Sequence, residues 1–208
     1  MDSDLRRGVW RRPPAPGLQL YQKTLGIVGL GKVGRVVAER LRGFEMRILG
    51  YDPFVSPAEV AASGIEAVDL RRLIEESDII SLHVPLSSDT RHLIGREELE
   101  RMKPTAYLIN TARGEIVDQR ALYEALKAGR IAGAGLDVFD PEPLGEDPIT
   151  TLPNVVLTAH IAGLSWEAVA AMAALSAESA VRVLRGERTE YAVNPAAFGI
   201  RISMEAAQ

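Results

Sequence analysis

Residues 25–34, Leu-Gly-Ile-Val-Gly-Leu-Gly-Lys-Val-Gly, constrain the fold most strongly, because a short apolar run breaks there into glycines at 29, 31 and 34. An apolar strand that ends in G-x-G-x-x-G, with a helix opening on the last glycine, forms a cradle for a pyrophosphate. Gly29 lets the chain turn sharply, Gly31 lets backbone approach the anion, and Gly34 lets the new helix pack close to the sheet. The unpaired N–H groups at the helix start then face the negative charge. Three glycines at this spacing also occur in ordinary turns, so the rest of the chain must decide between the two readings.

Downstream, the pattern alternates between strand and helix. Helical spacing of apolar residues predicts a helix over 33–42, and an apolar run predicts a strand over 47–51 that stops at Asp52-Pro53. Ser56 with Glu59 makes a capping box, with Pro57 at the first helical position, so a short helix runs from there to Gly64. A weak strand over 65–68, a helix from an Asp69 cap through Glu76 and a strong strand over 79–83 follow. Further elements are expected as a helix over 96–102, a strand over 107–110 and a helix over 118–128. A strand over 132–137, a long loop to 152, a strand over 155–158 and a helix over 166–185 capped by Ser165 complete the series. This alternation predicts an α/β fold, a Rossmann-type doubly wound parallel sheet in three αβα layers.

At 208 residues and 47% hydrophobic content the chain can bury one substantial core or two modest ones. A net charge of −4 leaves no electrostatic footprint for nucleic acid, and no apolar run approaches the length of a membrane span. With no cysteine there is neither a disulfide framework nor a thiolate metal site, which is compatible with the cytoplasmic location expected here. His83, His92 and His160 show no metal-ligand spacing, so no metal is expected. Residues 11–17, Arg-Arg-Pro-Pro-Ala-Pro-Gly, read as a connector.

Asp52 stands 23 residues after Gly29, where a dinucleotide fold places a carboxylate on the adenosine ribose. That favours NAD, since a 2′-phosphate beside the carboxylate would be repelled. The alternative reading is an Asp that only shapes an Asp-Pro turn. His83 falls at a strand end and therefore near the cofactor, whereas His92 reads as loop packing. Three successive strands lead to Arg113, Glu142 and His160. An arginine can bind a carboxylate and polarise a carbonyl, a histidine can move the hydroxyl proton, and a carboxylate can hold the imidazole and favour its charged form. These are the groups that reduction of a 2-oxo acid needs. Taken singly, each also has a plain reading: a surface ion pair, loop decoration, or a satisfied strand-end histidine.

Several stretches together resemble the cofactor domain of the D-isomer-specific 2-hydroxyacid dehydrogenases, the phosphoglycerate, D-lactate and glyoxylate/hydroxypyruvate dehydrogenase family. They are Lys23-Thr24-Leu25-Gly26-Ile27-Val28-Gly29-Leu30-Gly31, Tyr51-Asp52-Pro53, His83-Val84-Pro85-Leu86, Asn110-Thr111-Ala112-Arg113-Gly114, Leu136-Asp137-Val138-Phe139 with Glu142-Pro143, and Ala159-His160-Ile161-Ala162-Gly163. The resemblance implies Arg113 as substrate-binding arginine, His160 as acid/base and Glu142 as its partner. The separation of 29 residues between Arg113 and Glu142 fits the family. It further implies pyrophosphate contacts from the N–H groups of Lys32 and Val33, the ribose on Asp52 and the nicotinamide carboxamide on Asp137. Other cofactor contacts would come from Gly29, Gly31, Gly34, His83, Val84, Pro85, Thr90, Thr111, Ala112 and Gly163. Glu142, where the related formate dehydrogenases carry glutamine, disfavours that substrate. Ala159 replaces a proline common before the histidine.

By the same resemblance, residues 1–23 are expected to lead out of an N-terminal substrate domain that the chain lacks. Residues 24–190 are then the NAD-binding domain and 191–208 a return segment, with Val193-Asn194-Pro195 as its match. The expectation is a truncated chain that binds NAD and turns over 2-hydroxy or 2-oxo acids poorly by itself. The competing class is an NAD-sensing interaction module like the C-terminal-binding corepressors, which share this scaffold. A homodimer formed through cofactor domains is also expected, with Trp10 and Leu18 as exposed apolar residues.

Overall fold

The computed structural model of the protein describes residues 2–10 and 17–194. The connector at 11–16 and Pro195 of the return segment lie outside the described residues. Residues 1–160 make one compact unit and 161–208 a second.

The first unit is built on a sheet of seven strands: β1 (Thr24–Val28), β2 (Arg47–Tyr51), β3 (Glu66–Ala67), β4 (Ile79–Leu82), β5 (Tyr107–Asn110), β6 (Gly133–Leu136) and β7 (Val155–Leu157). Their order is β3-β2-β1-β4-β5-β6-β7, and every neighbouring pair is parallel. The expected α/β doubly wound sheet is therefore the observed one. Its order reverses between β1 and β4, the place where such sheets open a ligand crevice.

The helices of this unit are α1 (Asp2–Arg6), α2 (Lys32–Leu41), α3 (Pro57–Ala62), α4 (Leu70–Glu76), α5 (Arg96–Arg101) and α6 (Gln119–Lys127). Local chemistry fixes several of their starts. Ser56 Oγ accepts from the Glu59 N–H while Glu59 reaches back to Ser56, Asp69 accepts from the Arg72 N–H, and Asp118 accepts from the Ala121 N–H. Strands alternate their side chains between two apolar layers: Leu25, Ile27 and Ile48 pack with Leu30, Ala38 and Val60, whereas Val28, Leu49, Ile80 and Leu82 join the larger cluster around Leu73, Leu99, Leu108 and Leu122.

In the second unit, α7 (Trp166–Leu184) starts at Ser165, whose hydroxyl accepts from the Ala168 N–H at 3.1 Å. Near its end Arg182 pairs with Glu178 one turn earlier, and Ser179 meets Thr189 at 3.1 Å.

Candidate active site

Pairing register lines up the C-terminal ends of the strands. Tyr51, Val28, Leu82, Asn110, Leu136 and Leu157 form one continuous row across the sheet. The next residue on each strand is consequently Asp52, Gly29, His83, Thr111, Asp137 and Thr158, all on one edge. The candidate site is this edge and the loops that leave it.

At the β1 end, Gly29 takes φ +94°, a left-handed conformation that favours glycine, and its N–H donates to the Tyr51 carbonyl at 2.8 Å. A side chain on Gly29 would press into the His83 backbone, and one on Gly34 would overlap the Gly29 carbonyl. A side chain on Gly31 would instead stand in open space. Gly31 is also the N-cap of α2, where no side chain caps the helix and no acidic residue occupies the first turn. The N–H groups that open α2 thus face an open cradle with no anion of the protein's own. That arrangement fits a pyrophosphate.

Asp52 makes the turn that the sequence allowed and is also tied to the glycine loop. Its Oδ1 accepts from the Phe54 N–H at 2.9 Å, which makes the turn, and its Oδ2 accepts from the Leu30 N–H at 2.8 Å, which ties the carboxylate to the glycine loop. A cleft of about 530 Å³ lies beside the loop, with Val33 on one side, Thr111, Ala112 and Arg113 on the other, and His83, Val84 and Pro85 between. His83 Nε2 and Ser81 Oγ are hydrogen-bonded at 2.9 Å, and burial pushes the imidazole below its ordinary pKa, keeping it neutral. Thr90 uses its hydroxyl within its own loop, donating to the Pro85 carbonyl at 2.6 Å and accepting from the Ser87 N–H at 2.8 Å.

Arg113, Glu142 and His160 share the wall of an adjoining cleft of about 410 Å³. His160 Nδ1 donates to Glu142 Oε2 at 2.8 Å, and Glu142 Oε1 accepts from the Phe139 N–H at 3.0 Å. The His160 bond foremost, then the Phe139 N–H, hold the Glu142 carboxyl below the usual carboxylate range against the small opposing effect of burial; the nearby charges of His160 and Arg113 act in the same direction as the bonds. With Nδ1 committed to the carboxylate, Nε2 is the ring atom left to exchange a proton with a ligand. His160 sits at φ +53°, its N–H donating to the Asp137 carbonyl at 2.8 Å. Asp137 is buried, and one of its carboxylate oxygens accepts from Thr158 Oγ1 at 2.5 Å.

The arginine loop is fixed from below. Asn110, buried at the end of β5, donates from Nδ2 to the Arg113 carbonyl at 2.8 Å and accepts at Oδ1 from the Ala112 N–H at 3.0 Å. Gly114 lies so close to Phe139 that any Cβ would overlap its carbonyl. The Arg113 guanidinium donates to the Ala112 carbonyl at 2.6 Å and is otherwise exposed to the cleft.

The structure brings together on the one edge all the expected site residues except Gly163, which belongs to the second unit. Sequence reasoning did not single out Asn110, Ser81 or Thr158 for a role. The available signal was a polar residue within or just beyond an otherwise apolar strand. Among the described residues, no group of three or more His, Asp or Glu side chains could hold a metal ion, and no helix is long and apolar enough to cross a membrane.

Residues 1–162 match the profile of the D-isomer specific 2-hydroxyacid dehydrogenase, NAD binding domain. The chain belongs to that family. It is 48% identical over 194 residues to the D-3-phosphoglycerate dehydrogenase of Methanocaldococcus jannaschii, a match covering 92% of this chain and 37% of that protein. It is likewise 48% identical over 205 residues to the glyoxylate reductase of Korarchaeum cryptofilum, covering 96% of this chain and 62% of the relative. Among solved structures, the TT0316 protein of Thermus thermophilus superposes with a TM-score of 0.84 at 40% identity, covering 93% of this chain and 61% of that one. The chain thus spans less than two thirds of the length of these relatives.

Proposed function

We propose that this edge carries hydride transfer between NAD(H) and a 2-hydroxy or 2-oxo acid. The observation that carries the reading is the 2.8 Å bond from His160 Nδ1 to Glu142 in a cleft that also presents Arg113, on the sheet edge that holds the glycine loop. Bound NAD(H) supplies the hydride donor or acceptor. The Arg113 guanidinium binds the substrate carboxylate with its planar fork and polarises the adjacent carbonyl. His160 Nε2 gives its proton to the carbonyl oxygen as that oxygen becomes a hydroxyl, and takes it back in the reverse direction. Glu142 orients the ring through its bond to Nδ1.

On the cofactor side, the Lys32 and Val33 N–H groups receive the pyrophosphate in the open space at Gly31, beside the turn that Gly29 makes and the close helix packing that Gly34 allows. Asp52 takes the ribose hydroxyls, Asp137 the nicotinamide carboxamide, and His83, Val84, Pro85, Thr90, Thr111 and Ala112 complete the contacts. Asp52 also sets the preference for NAD over NADP by repelling a 2′-phosphate.

Residues 24–190 form the cofactor domain, residues 1–23 lead into it and 191–208 lead away. The protein acts in the cytoplasm as a homodimer, and the exposed Trp10 (81% accessible) and Leu18 supply apolar surface for the contact. Because His160 and Glu142 keep side-chain accessibilities of 54% and 37%, water has free access, and this chain alone is expected to bind NADH while turning over 2-oxo acids slowly.

The decisive experiment pairs an NADH and NADPH fluorescence titration with glyoxylate-dependent NADH oxidation by the wild type and a His160→Asn variant. Tighter NADH binding and loss of oxidation in the variant are expected. Equal affinity for the two cofactors overturns the role of Asp52, and undiminished oxidation by the variant overturns the role of His160.

A further inference from the structure

We infer that Asn110 is a positioning residue, which holds the substrate-binding Arg113 in register with His160. The inference rests on the reading of Arg113 as the carboxylate-binding residue. Each polar group of Asn110 reaches a different part of the site. The amide Nδ2 donates to the Arg113 carbonyl at 2.8 Å and Oδ1 accepts from the Ala112 N–H at 3.0 Å, so the side chain holds both peptide groups flanking the turn. Its own carbonyl accepts from the Asp137 N–H at 3.0 Å, and the Asp137 carbonyl accepts from the His160 N–H at 2.8 Å. Five residues on three consecutive strand ends are joined in this way, from the guanidinium-bearing loop to the histidine. Asn110 is 1% exposed, so no water stands in for a bond that is lost.

The clamp needs one donor and one acceptor on a planar group of fixed length. Asparagine supplies both. An ionised aspartate of the same shape supplies two acceptors and sets negative charge against the Arg113 carbonyl, while a protonated aspartate restores the donor. Burial raises the pKa of such a carboxyl and brings the change within an accessible pH range. A role confined to packing would show no such proton dependence.

The test uses oxalate, a planar dicarboxylate that presents a carboxylate as a 2-oxo acid does, titrated calorimetrically into the NADH-loaded chain. Asn110→Asp is compared with the wild type at saturating NADH, which removes any difference in cofactor affinity. At pH 8 it should bind oxalate about tenfold more weakly, the cost of one unsatisfied buried polar group. The ratio of variant to wild-type oxalate affinity should then return toward one as the pH falls to about 5.5, within the range of a buried carboxyl. A ratio of one at pH 8, or a deficit that does not change with pH, overturns the proposal. Arg113→Ala separates the two readings. If it binds oxalate normally, the assignment of Arg113 itself fails; if it loses oxalate while Asn110→Asp keeps it, only the role of Asn110 fails. Should Asn110→Asp not fold, amide exchange at Ala112 in the wild type decides. Protection supports the clamp, and exchange at the rate of an open loop overturns it.

Discussion

The two halves of the sheet edge are built by opposite means. Around β1 and β2 the site is made of main-chain N–H groups, the open space at Gly31 and the close backbone approaches that Gly29 and Gly34 allow, with Asp52 as the charged side chain tied to the loop. Around β5, β6 and β7 the working groups are side chains held by other side chains and carbonyls: Arg113 over Asn110, Glu142 against Phe139 and His160, Asp137 against Thr158. The first half is damaged by adding atoms and the second by removing them. Under the proposed function, a cofactor shared by many enzymes would be gripped through features that every residue possesses, whereas the reaction would require particular functional groups.

The comparison is broken most severely at His160. His160→Asn keeps a residue type that accepts a left-handed backbone, so the fold should survive, while 2-oxo-acid-dependent NADH oxidation falls by about 10²–10⁴-fold, the scale of general acid–base catalysis. NADH affinity, measured by fluorescence, should not change. Equal losses in both would mean that the halves are not separable. Gly34→Ala is the reciprocal change: its methyl collides with the Gly29 carbonyl, and overpacking of this kind costs about 1–3 kcal/mol. Here NADH affinity should fall along with melting temperature. A fully stable variant that retains its NADH affinity would show that the close approach is dispensable.

A smaller effect sharpens the contrast from outside both halves. Asp78 precedes β4, at the other edge of the sheet, where it accepts from the Thr24 N–H and pairs with Lys103, each at 2.9 Å. Burial raises its pKa, but these two bonds outweigh burial and leave the carboxyl below its ordinary value. A carboxyl depressed by folding adds stability that is present above its unfolded pKa and is lost as the pH falls through the folded one. Asp78→Asn should therefore lower stability by about 1–2 kcal/mol at neutral pH, the scale of hydrogen bonds to a charged group, and the difference should vanish in acid. NADH affinity and turnover should stay as in the wild type. Denaturant titrations from pH 3 to 7 measure it, and a deficit that persists in acid contradicts the sign.

Much of this was legible in the sequence, for a physical reason. Glycine loops, caps and strand patterning are local, so 25–34, the Ser56 capping box and the strand ends could be placed to within a residue or two. His83, expected as the last residue of β4, lies one beyond it, yet its N–H still donates to the Val28 carbonyl at 2.7 Å. Of the two readings of Asp52, the turn is the one that local sequence could place; its bond to the Leu30 N–H, 22 residues back, forms only once β1 and β2 pair. Thr158 and Asp137, 21 residues apart, meet only after β6 and β7 pair, and the contact of Gly114 with Phe139 is equally non-local. The short 3-10 turns at Gly114–Ile116 and Pro148–Thr151 fell within stretches that read as plain loop.

The chain of hydrogen bonds from the Arg113 loop to the Asn110 side chain, and from the Asn110 carbonyl through Asp137 to His160, has an evolutionary consequence. None of its links involves the part of a substrate beyond the carboxylate and the carbonyl. Under the proposed function, descendants can therefore exchange one acid for another by altering whatever surrounds the variable end of the molecule, while the spacing between Arg113 and His160 is inherited unchanged.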